Sequence, residues 1–370
     1  MPSLRFSAPD WAAFHVMRSD PEGGVAVRAV VYDAIGQEPE VREVPEPECP
    51  AGAVVVAVRA TGVCRSDWHA WRGHDPVTLP HVPGHEFAGE VVRIGEGVSR
   101  VAVGDRVTAP FVCGCGACEF CRNGDAQVCP DQYQPGFTGP GSFAEQVMVP
   151  AADTNVVRLP GEVGFVEAAA LGCRFATAFR AVQAHGRVSQ GQWLAVFGCG
   201  GVGLSAVIVG RALGARVVAV DVSPAALEQA ATLGAEALVD AGDLAAAVEQ
   251  VRQVTGGGVH VGIDAIGSPS VVAASVGSLR RRGRHVQVGL LLGEDAATAL
   301  PMDRILAHEL AVIGSHGMAA VDYPAMLDLV QRGVLDPRAL VARTIGLDEA
   351  GAALAAMDHP GPPGITVVAP

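Results

Sequence analysis

Three separate parts of the chain carry residues that could together bind a metal ion. Residues 64–70 read Cys-Arg-Ser-Asp-Trp-His-Ala and supply Cys64, residues 84–86 read Gly-His-Glu, and Cys173 follows much later. Two thiolates and one imidazole are three of the four ligands of a tetrahedral zinc ion, and a site with three protein ligands keeps one position open. Because a substrate oxygen can bind at an open position, this set of residues predicts a catalytic metal.

A second group of cysteines lies at residues 115–129 with the spacing C-x2-C-x2-C-x7-C. Four thiolates this close in sequence can complete a tetrahedron around zinc, and such a metal stabilises a lobe without taking part in chemistry. The alternative is four independent buried thiols, which would not require regular spacing in a glycine-rich segment. We therefore predict a structural zinc site, whose ligands are Cys115, Cys118, Cys121 and Cys129.

A glycine-rich segment, Gly-Cys-Gly-Gly-Val-Gly, joins an apolar run to a predicted helix over residues 202–213. Gly198 permits a tight turn, Gly200 lets a pyrophosphate approach the backbone, and Gly203 allows the helix to pack closely on the strand. The N-terminus of the helix then faces the anion. The residues predicted to contact a dinucleotide here are Gly198, Gly200, Gly201, Val202 and Gly203.

The strand after this helix ends at Asp221, 18 residues beyond Gly203 (221 − 203). A carboxylate at this position can accept hydrogen bonds from both ribose hydroxyls, which favours NAD. The alternative is a turn residue before the helix that Ser223 caps. Neither Val222 nor Ser223 offers a cation for a 2′-phosphate, so NADP is disfavoured and stays open as the second coenzyme.

The chain as a whole must position these groups. Its 370 residues, 49% of them hydrophobic, exceed what one compact core usually serves, so we expect two domains. Short β-branched runs separated by glycine, proline and aspartate fill residues 28–157 and predict a barrel-like domain. Apolar strands alternate with alanine-rich helical segments over 174–310, which predicts a doubly wound parallel sheet. A predicted helix at 324–330 and a strand at 365–368 could return to the first domain.

Charge and hydropathy exclude several classes of partner. The formal net charge is −13 and the arginines are scattered, apart from one short cluster at 280–282, so no basic stripe suits a nucleic acid. No apolar run reaches the roughly 18 residues of a membrane helix, and the N-terminus lacks a signal-peptide pattern. We therefore expect a cytoplasmic protein whose nine cysteines stay reduced or bind metal.

The order of these four signatures resembles that of the zinc-dependent medium-chain alcohol dehydrogenases, a branch of the medium-chain dehydrogenase/reductase superfamily. The resemblance spans about residue 28 to the C-terminus. It implies a β-rich, GroES-like catalytic domain over 28–173 and 311–370 and a Rossmann coenzyme domain over 174–310. It leaves residues 1–27 as a poorly ordered N-terminal extension, and it implies a homo-oligomer, either a tetramer or a dimer.

The resemblance, and not the spacing alone, assigns roles at the catalytic metal. It makes Cys64, His85 and Cys173 the zinc ligands, a set that characterises alcohol dehydrogenases. Glu86 matches a neighbouring carboxylate that can act as an exchangeable ligand, with a local ion pair as the alternative. Asp67 matches the acid that orients the metal-binding histidine through its other ring nitrogen.

Further roles follow from the same resemblance. Ser66 and His69 match a relay that passes the substrate proton through the coenzyme ribose to a histidine near solvent. Thr177 matches a residue that packs beside the nicotinamide. Arg65 matches a residue that contacts the pyrophosphate, although a local ion pair would explain it as well. Phe111 matches an aromatic residue of the substrate pocket, with a simple core phenylalanine as the alternative.

The predicted function is reversible hydride transfer between an alcohol and NAD, which gives an aldehyde or ketone and NADH, with two zinc ions per chain. A polyol or formaldehyde-adduct dehydrogenase of the same family is a second interpretation. A third is a zinc-stabilised protein that binds NAD without redox chemistry. The related zinc-free quinone reductases lack both cysteine sets, so the sequence opposes that interpretation.

Overall fold

The structure, a computed structural model, describes residues 25–359 and 364–370, so most of the predicted N-terminal extension lies outside the described residues. Fifteen strands are present in this part of the chain. They are β1 Ala26–Val31, β2 Glu40–Pro45, β3 Val54–Gly62, β4 Glu86–Ile94, β5 Arg106–Thr108, β6 Gln146–Val149, β7 Val157–Arg158, β8 Trp193–Phe197, β9 Arg216–Asp221, β10 Ala237–Asp240, β11 Val259–Asp264, β12 Leu279–Gln287, β13 Ala311–Gly314, β14 Val341–Gly346 and β15 Ile365–Ala369.

Twelve α-helices connect and cover these strands in the described residues. They are α1 Arg65–Trp71, α2 Glu119–Arg122, α3 Ala152–Asn155, α4 Phe165–Ala170, α5 Cys173–Arg180, α6 Gly201–Ala212, α7 Pro224–Thr232, α8 Leu244–Thr255, α9 Pro269–Ser278, α10 Met302–His308, α11 Tyr323–Gln331 and α12 Ala350–Ala355. None of the described helices is long and apolar enough to span a membrane.

Six parallel strands form one sheet in the order β10-β9-β8-β11-β12-β13. Numbered within this sheet the order is 3-2-1-4-5-6, which is that of a dinucleotide-binding doubly wound sheet. All five residues of β8 are buried, and alternate residues enter different cores: Leu194 packs on one face and Phe197 on the other. The predicted parallel-sheet domain is confirmed.

The other large sheet is mostly antiparallel and orders its strands β14-β15-β3-β4-β5-β7, with β6 paired to β3. Its central strand, β3, is valine-rich and nearly all buried. The C-terminal strand β15 pairs with β3, so the last residues do return to the β-rich domain as predicted. The predicted helix at 324–330 is also present, as α11.

The parallel sheet extends slightly beyond the predicted end of the coenzyme domain at residue 310. Strand β13 lies after that position and pairs with β12 from Arg284 to Gln287. Its backbone hydrogen bonds therefore belong to the coenzyme sheet. We propose that the coenzyme domain continues through Gly314, and that the remaining C-terminal residues belong with the β-rich domain.

Candidate active site and coenzyme site

The three predicted catalytic ligands meet where three elements begin or end. Cys64 lies between β3 and α1, His85 immediately precedes β4, and Cys173 is the first residue of α5. Their ligand atoms and one carboxylate oxygen of Glu86 all lie within 4.8 Å of one another. Cys64 and His85 are buried and Cys173 is half-buried. Segments far apart in sequence therefore converge on one point, as the three-ligand prediction requires.

Asp67 ties two of these segments together from a fully buried position. One carboxylate oxygen accepts hydrogen bonds from His85 Nδ1 at 2.9 Å and from the Gly84 backbone N–H at 2.9 Å. The other accepts the backbone N–H of Cys64 at 3.1 Å. Because Nδ1 donates to the carboxylate, the lone pair of the imidazole is on Nε2, which faces away from Asp67.

The donor atoms fit a zinc ion. His85 Nε2 is buried and has no hydrogen-bond partner among the described residues, although such an atom normally has one. A shared hydrogen bond with Cys173 holds the pKa of the Cys64 thiol well below its ordinary value, so the pair readily supplies a thiolate. An unpartnered imidazole lone pair next to thiolate sulfur is the donor set that zinc prefers.

Glu86 lies in the same cluster but is bound to a residue that the sequence did not single out. Its Oε1 accepts hydrogen bonds from the backbone N–H and Nε of Arg174, both at 3.0 Å, and its Oε2 accepts one from Nη2. Glu86 is fully buried and Arg174 is 7% exposed. The pair is therefore a buried two-point salt bridge directly beside the ligands.

The two predicted relay residues follow Cys64 on α1. Ser66 Oγ lies 3.8 Å from Cys64 Sγ, so the hydroxyl adjoins the metal ligands. His69 is half-buried, and its Nδ1 lies 3.0 Å from Nδ1 of His74. Burial, and then the charge of His74, lower the pKa of His69 below its usual value. His69 is thus kept neutral near physiological pH, as a proton acceptor must be.

Aromatic rings cover the metal ligands. The ring of Phe111 lies edge-on to His85 with centroids 6.1 Å apart, and Phe137 lies closer, at 4.9 Å. On its other side Phe111 contacts His316 at 5.4 Å. Phe111 is half-buried. Its contact with a predicted zinc ligand supports the pocket interpretation over that of a simple core residue.

The second cysteine group also converges, within the loop around α2. Its four sulfur atoms lie within 4.8 Å of one another, with Cys118 Sγ 3.7 Å from Cys129 Sγ. Backbone N–H groups of the same loop point at them, including that of Cys121 toward Cys118 at 3.4 Å. Burial opposes ionisation, but the Cys121 backbone N–H and the thiols of Cys121, Cys129 and Cys115 form hydrogen bonds that lower the pKa of Cys118 to about 7. Four sulfurs surrounded by N–H donors fit a closed zinc site.

One side chain anchors the cysteine-bearing loop of residues 115–129, called the lobe below, to the rest of the β-rich domain. Asn155, fully buried at the end of α3, accepts the Gly114 backbone N–H at 2.9 Å and donates to the Gly114 carbonyl at 2.8 Å. Cys113, just before the first predicted ligand, is separate from the cluster, because its Sγ contacts the Pro110 carbonyl at 3.5 Å. Burial raises the pKa of Cys113 to about 12, so it stays a thiol.

The glycine-rich turn has the geometry of a dinucleotide site. Gly198 has φ +90°, which L side chains rarely adopt, and a Cβ on Gly203 would lie 1.7 Å from the Gly198 carbonyl oxygen. A Cβ on Gly200 would meet no atom within 4 Å among the described residues, so that side of the turn is open to a ligand. Helix α6 begins at Gly201, with its N-terminus at this opening.

Asp221 lies at the end of β9 beside the turn. Its carboxylate accepts the backbone N–H of Cys199 at 2.6 Å and that of Ser223 at 2.8 Å. The predicted turn role is therefore present, and each oxygen retains a lone pair for a ribose hydroxyl. Val222 next to it is 68% exposed and carries no charge.

Two other predicted coenzyme contacts occupy different positions. Thr177 is buried on α5, and its Oγ1 has no hydrogen-bond partner in the described part of the chain, which suits a group that awaits a ligand. Arg65 is exposed, lies 4.8 Å from the Trp68 ring centroid, and donates to the Met357 carbonyl at 2.5 Å. Its contact with a pyrophosphate is not tested by this geometry and stays a prediction.

Two known protein families match the β-rich part and the parallel-sheet part of the chain separately. Residues 50–161 match the alcohol dehydrogenase GroES-like domain, and residues 201–332 match the zinc-binding dehydrogenase domain. An alcohol dehydrogenase of Geobacillus stearothermophilus is 33% identical over 326 residues, which covers 87% of this chain and 93% of the relative. The predicted GroES-like and Rossmann architecture is confirmed by these matches.

Solved structures agree with this result. An alcohol dehydrogenase from Thermus sp. ATN1 superposes with a TM-score of 0.85 at 30% identity, covering 92% of this chain and 99% of that one. A cobalt- and zinc-bound thermostable alcohol dehydrogenase from Pyrobaculum aerophilum superposes with a TM-score of 0.82 at 29% identity, covering 94% and 100%. The chain therefore belongs to the zinc-binding medium-chain dehydrogenases and is an alcohol dehydrogenase of that family.

Proposed function

We propose that Cys64, His85 and Cys173 hold a zinc ion with one open position, and that the protein there oxidises a small-molecule alcohol with NAD. The observation that carries this proposal is the buried Nε2 of His85, which lies at the meeting point of two thiols and has no hydrogen-bond partner in the described residues. Zinc bound by such a set supplies Lewis-acid stabilisation for charge on the substrate oxygen. The same residues also run the reverse reaction, from an aldehyde or ketone and NADH.

The protein's own residues then move the proton and hold the coenzyme. Ser66, beside Cys64, takes the substrate proton and passes it toward His69, whose lowered pKa keeps the imidazole ready to accept it. Thr177 contacts the nicotinamide, and Arg65 together with the glycine turn binds the pyrophosphate. Holding the alcohol and the coenzyme in this geometry contributes as much to the rate acceleration as any single catalytic group.

Asp221 is proposed to select NAD over NADP through the ribose hydroxyls. The neutral, exposed Val222 supports this, because no cation there would bind a 2′-phosphate. Replacing Asp221 by Ser should raise the KM for NAD and narrow the preference over NADP. An unchanged preference would show that Asp221 only shapes the turn through Cys199 and Ser223.

Phe111 and Phe137 both lie against His85, so the surroundings of the proposed metal site are apolar. These rings favour alcohols with an apolar substituent as substrates over polyols or formaldehyde adducts. The test is NADH formation by the zinc-loaded protein with primary, secondary, aromatic and polyol substrates. Turnover of apolar alcohols is expected. A preference for polyols would favour a polyol dehydrogenase. No NADH formation with any substrate, in protein whose zinc content has been verified, would favour a non-catalytic NAD-binding protein.

We further propose two zinc ions per chain, a cytoplasmic location and a homo-oligomer, either a tetramer or a dimer. All nine cysteines are free, which suits a reducing compartment. The last strand of the parallel sheet in the described residues is β13, which carries Val312, 40% exposed, and α10 before it in the sequence carries Leu306, 81% exposed. An edge of this kind suits pairing with a second copy. Light scattering would measure the assembly, and metal analysis the zinc content.

A further inference from the structure

The buried pair of Arg174 and Glu86 lies between the proposed metal site and the coenzyme turn. In the described part of the chain, all hydrogen bonds to the Glu86 carboxylate come from Arg174. Glu86 directly follows the proposed ligand His85, and Arg174 directly follows Cys173. The arginine therefore holds both oxygens of the carboxylate that, among the described residues, groups with the three ligands and could become a fourth protein ligand.

The surroundings leave the pair little freedom. A Cβ on Gly62 would lie 2.5 Å from Glu86 Oε2 and 2.9 Å from Arg174 Nη2. A Cβ on Gly172 would lie 2.7 Å from Glu86 Cβ, and one on Gly201 would lie 2.5 Å from Arg174 Cδ. Glycine at three positions thus makes room for this salt bridge, and the arginine stem packs against the first residue of the coenzyme-binding helix.

A buried carboxylate that loses its cation must find another positive charge or give up its own. For Glu86 the nearest candidate is the metal, because its oxygen already lies within 4.8 Å of the other ligand atoms. A carboxylate on the metal would occupy the position that the substrate oxygen needs. The geometry of the guanidinium, which binds both oxygens at once, prevents either from turning toward the cluster.

We propose that Arg174 is a positioning residue that keeps Glu86 off the catalytic metal and so keeps the fourth position open for substrate. The proposal rests on the metal site proposed above. It goes beyond that function by assigning control of the metal's coordination number to a residue that does not touch the metal. It also predicts that Glu86 is not a resident ligand while the salt bridge is intact.

The test uses full-length protein with Co²⁺ at the catalytic site, because the visible bands of cobalt report ligand type and geometry. In Arg174→Met the bands should shift toward those of a cobalt ion with an added oxygen ligand. Release of the metal to a chelator should slow by about tenfold. In the double variant Arg174→Met/Glu86→Gln both changes should disappear, which identifies Glu86 as the added ligand.

Arg216→Met is the matched control, because Arg216 pairs with Glu236 at the protein surface, away from the ligands. Its cobalt bands should equal those of the wild type. Wild-type bands in folded Arg174→Met, or a shift that persists in the double variant, would overturn the proposal. If Arg174→Met does not fold, Arg174→Lys replaces it. Lysine cannot bind both carboxylate oxygens in one plane, so a smaller shift in the same direction is expected and unchanged bands would refute the role.

The cobalt experiment separates this proposal from the proposed function. If the wild-type protein takes up no cobalt at Cys64, His85 and Cys173, both the proposed metal site and the proposed role of Arg174 are refuted. Normal cobalt uptake and alcohol turnover in the wild type, together with unchanged bands in Arg174→Met, would remove only the role of Arg174.

Discussion

The two cysteine clusters offer similar sulfur donors but are built in opposite ways. The catalytic cluster draws its ligands from positions 64, 85 and 173, a span of 109 residues (173 − 64), and its histidine is fully buried. The lobe draws all four from residues 115–129, and three of its four cysteines are half-buried. One site depends on the tertiary fold, and the other is formed by a single loop.

The groups that hold the ligands also differ between the two clusters. In the lobe, backbone N–H groups of neighbouring residues point at the sulfurs, so the loop itself stabilises the thiolates. At the catalytic cluster, side chains hold the ligands instead: Asp67 accepts a hydrogen bond from His85, and Arg174 binds the neighbouring Glu86. Losing the lobe metal should therefore lower stability, whereas losing the catalytic metal should lower activity.

Removing one catalytic ligand should give the largest effect on turnover. Cys173→Ser is expected to lower kcat/KM for alcohol oxidation by at least about a thousandfold, since Lewis-acid stabilisation is worth several kcal/mol. Far-UV circular dichroism should stay that of the wild type, because the cysteine is not needed for the sheet. Wild-type turnover in this variant would refute the ligand assignment.

The matched change in the lobe is Cys118→Ser, which should reverse the pattern. Zinc content should fall by one per chain, and Tm should fall by at least about 5 °C, because metal binding contributes folding free energy. Turnover per folded molecule should remain within a few-fold of the wild type. Thermal unfolding and metal analysis check this, and a variant with normal Tm but no turnover would contradict the division of roles.

The carboxylate that joins two catalytic segments gives an intermediate effect. In Asp67→Asn the amide keeps only one acceptor oxygen, so an NH₂ group must face either His85 or the Cys64 backbone N–H. We expect a loss of about 10- to 100-fold in zinc affinity at this site. Zinc at the lobe should be retained. Competition with a chelator measures both, and equal losses at the two sites would indicate general unfolding.

The smallest effect concerns the proton acceptor. His69 must be neutral to accept a proton, so alcohol oxidation should be lost as pH falls through its pKa. Burial and His74 hold that pKa below its usual value, with Asp75 and Cys64 opposing and Arg65 assisting. His74→Ala should therefore move the acid limb of kcat/KM to higher pH. His308→Ala, in the coenzyme domain, is the control, and an acid limb unmoved in His74→Ala would show that His69 is not the acceptor.

Much of the fold and both cysteine clusters could be predicted from the sequence, because the motifs that indicate them are local. The lobe spacing, the glycine turn and the residue runs around Cys64 and His85 each lie within a short segment, and the structure brings each set together. The fully buried strand β8 and the C-terminal strand β15 were likewise indicated by short apolar runs.

Side-chain partners distant in sequence could not be predicted this way. Arg174 binds Glu86 across 88 residues, and no periodicity encodes such a pair. A signal was nevertheless present, because an arginine inside the apolar start of α5 must find a buried partner. Phe137 and His74 were missed for a related reason, since only the folded chain brings them to His85 and His69.

The most direct test of the two-site account is anomalous diffraction at the zinc edge from crystals of the full-length protein with NADH. Two peaks per chain are expected. One should be bounded by Cys64, His85 and Cys173, with Glu86 still bound to Arg174, and the other should be surrounded by the four lobe sulfurs. A single peak, or a catalytic peak ligated by Glu86 in the wild-type chain, would contradict it.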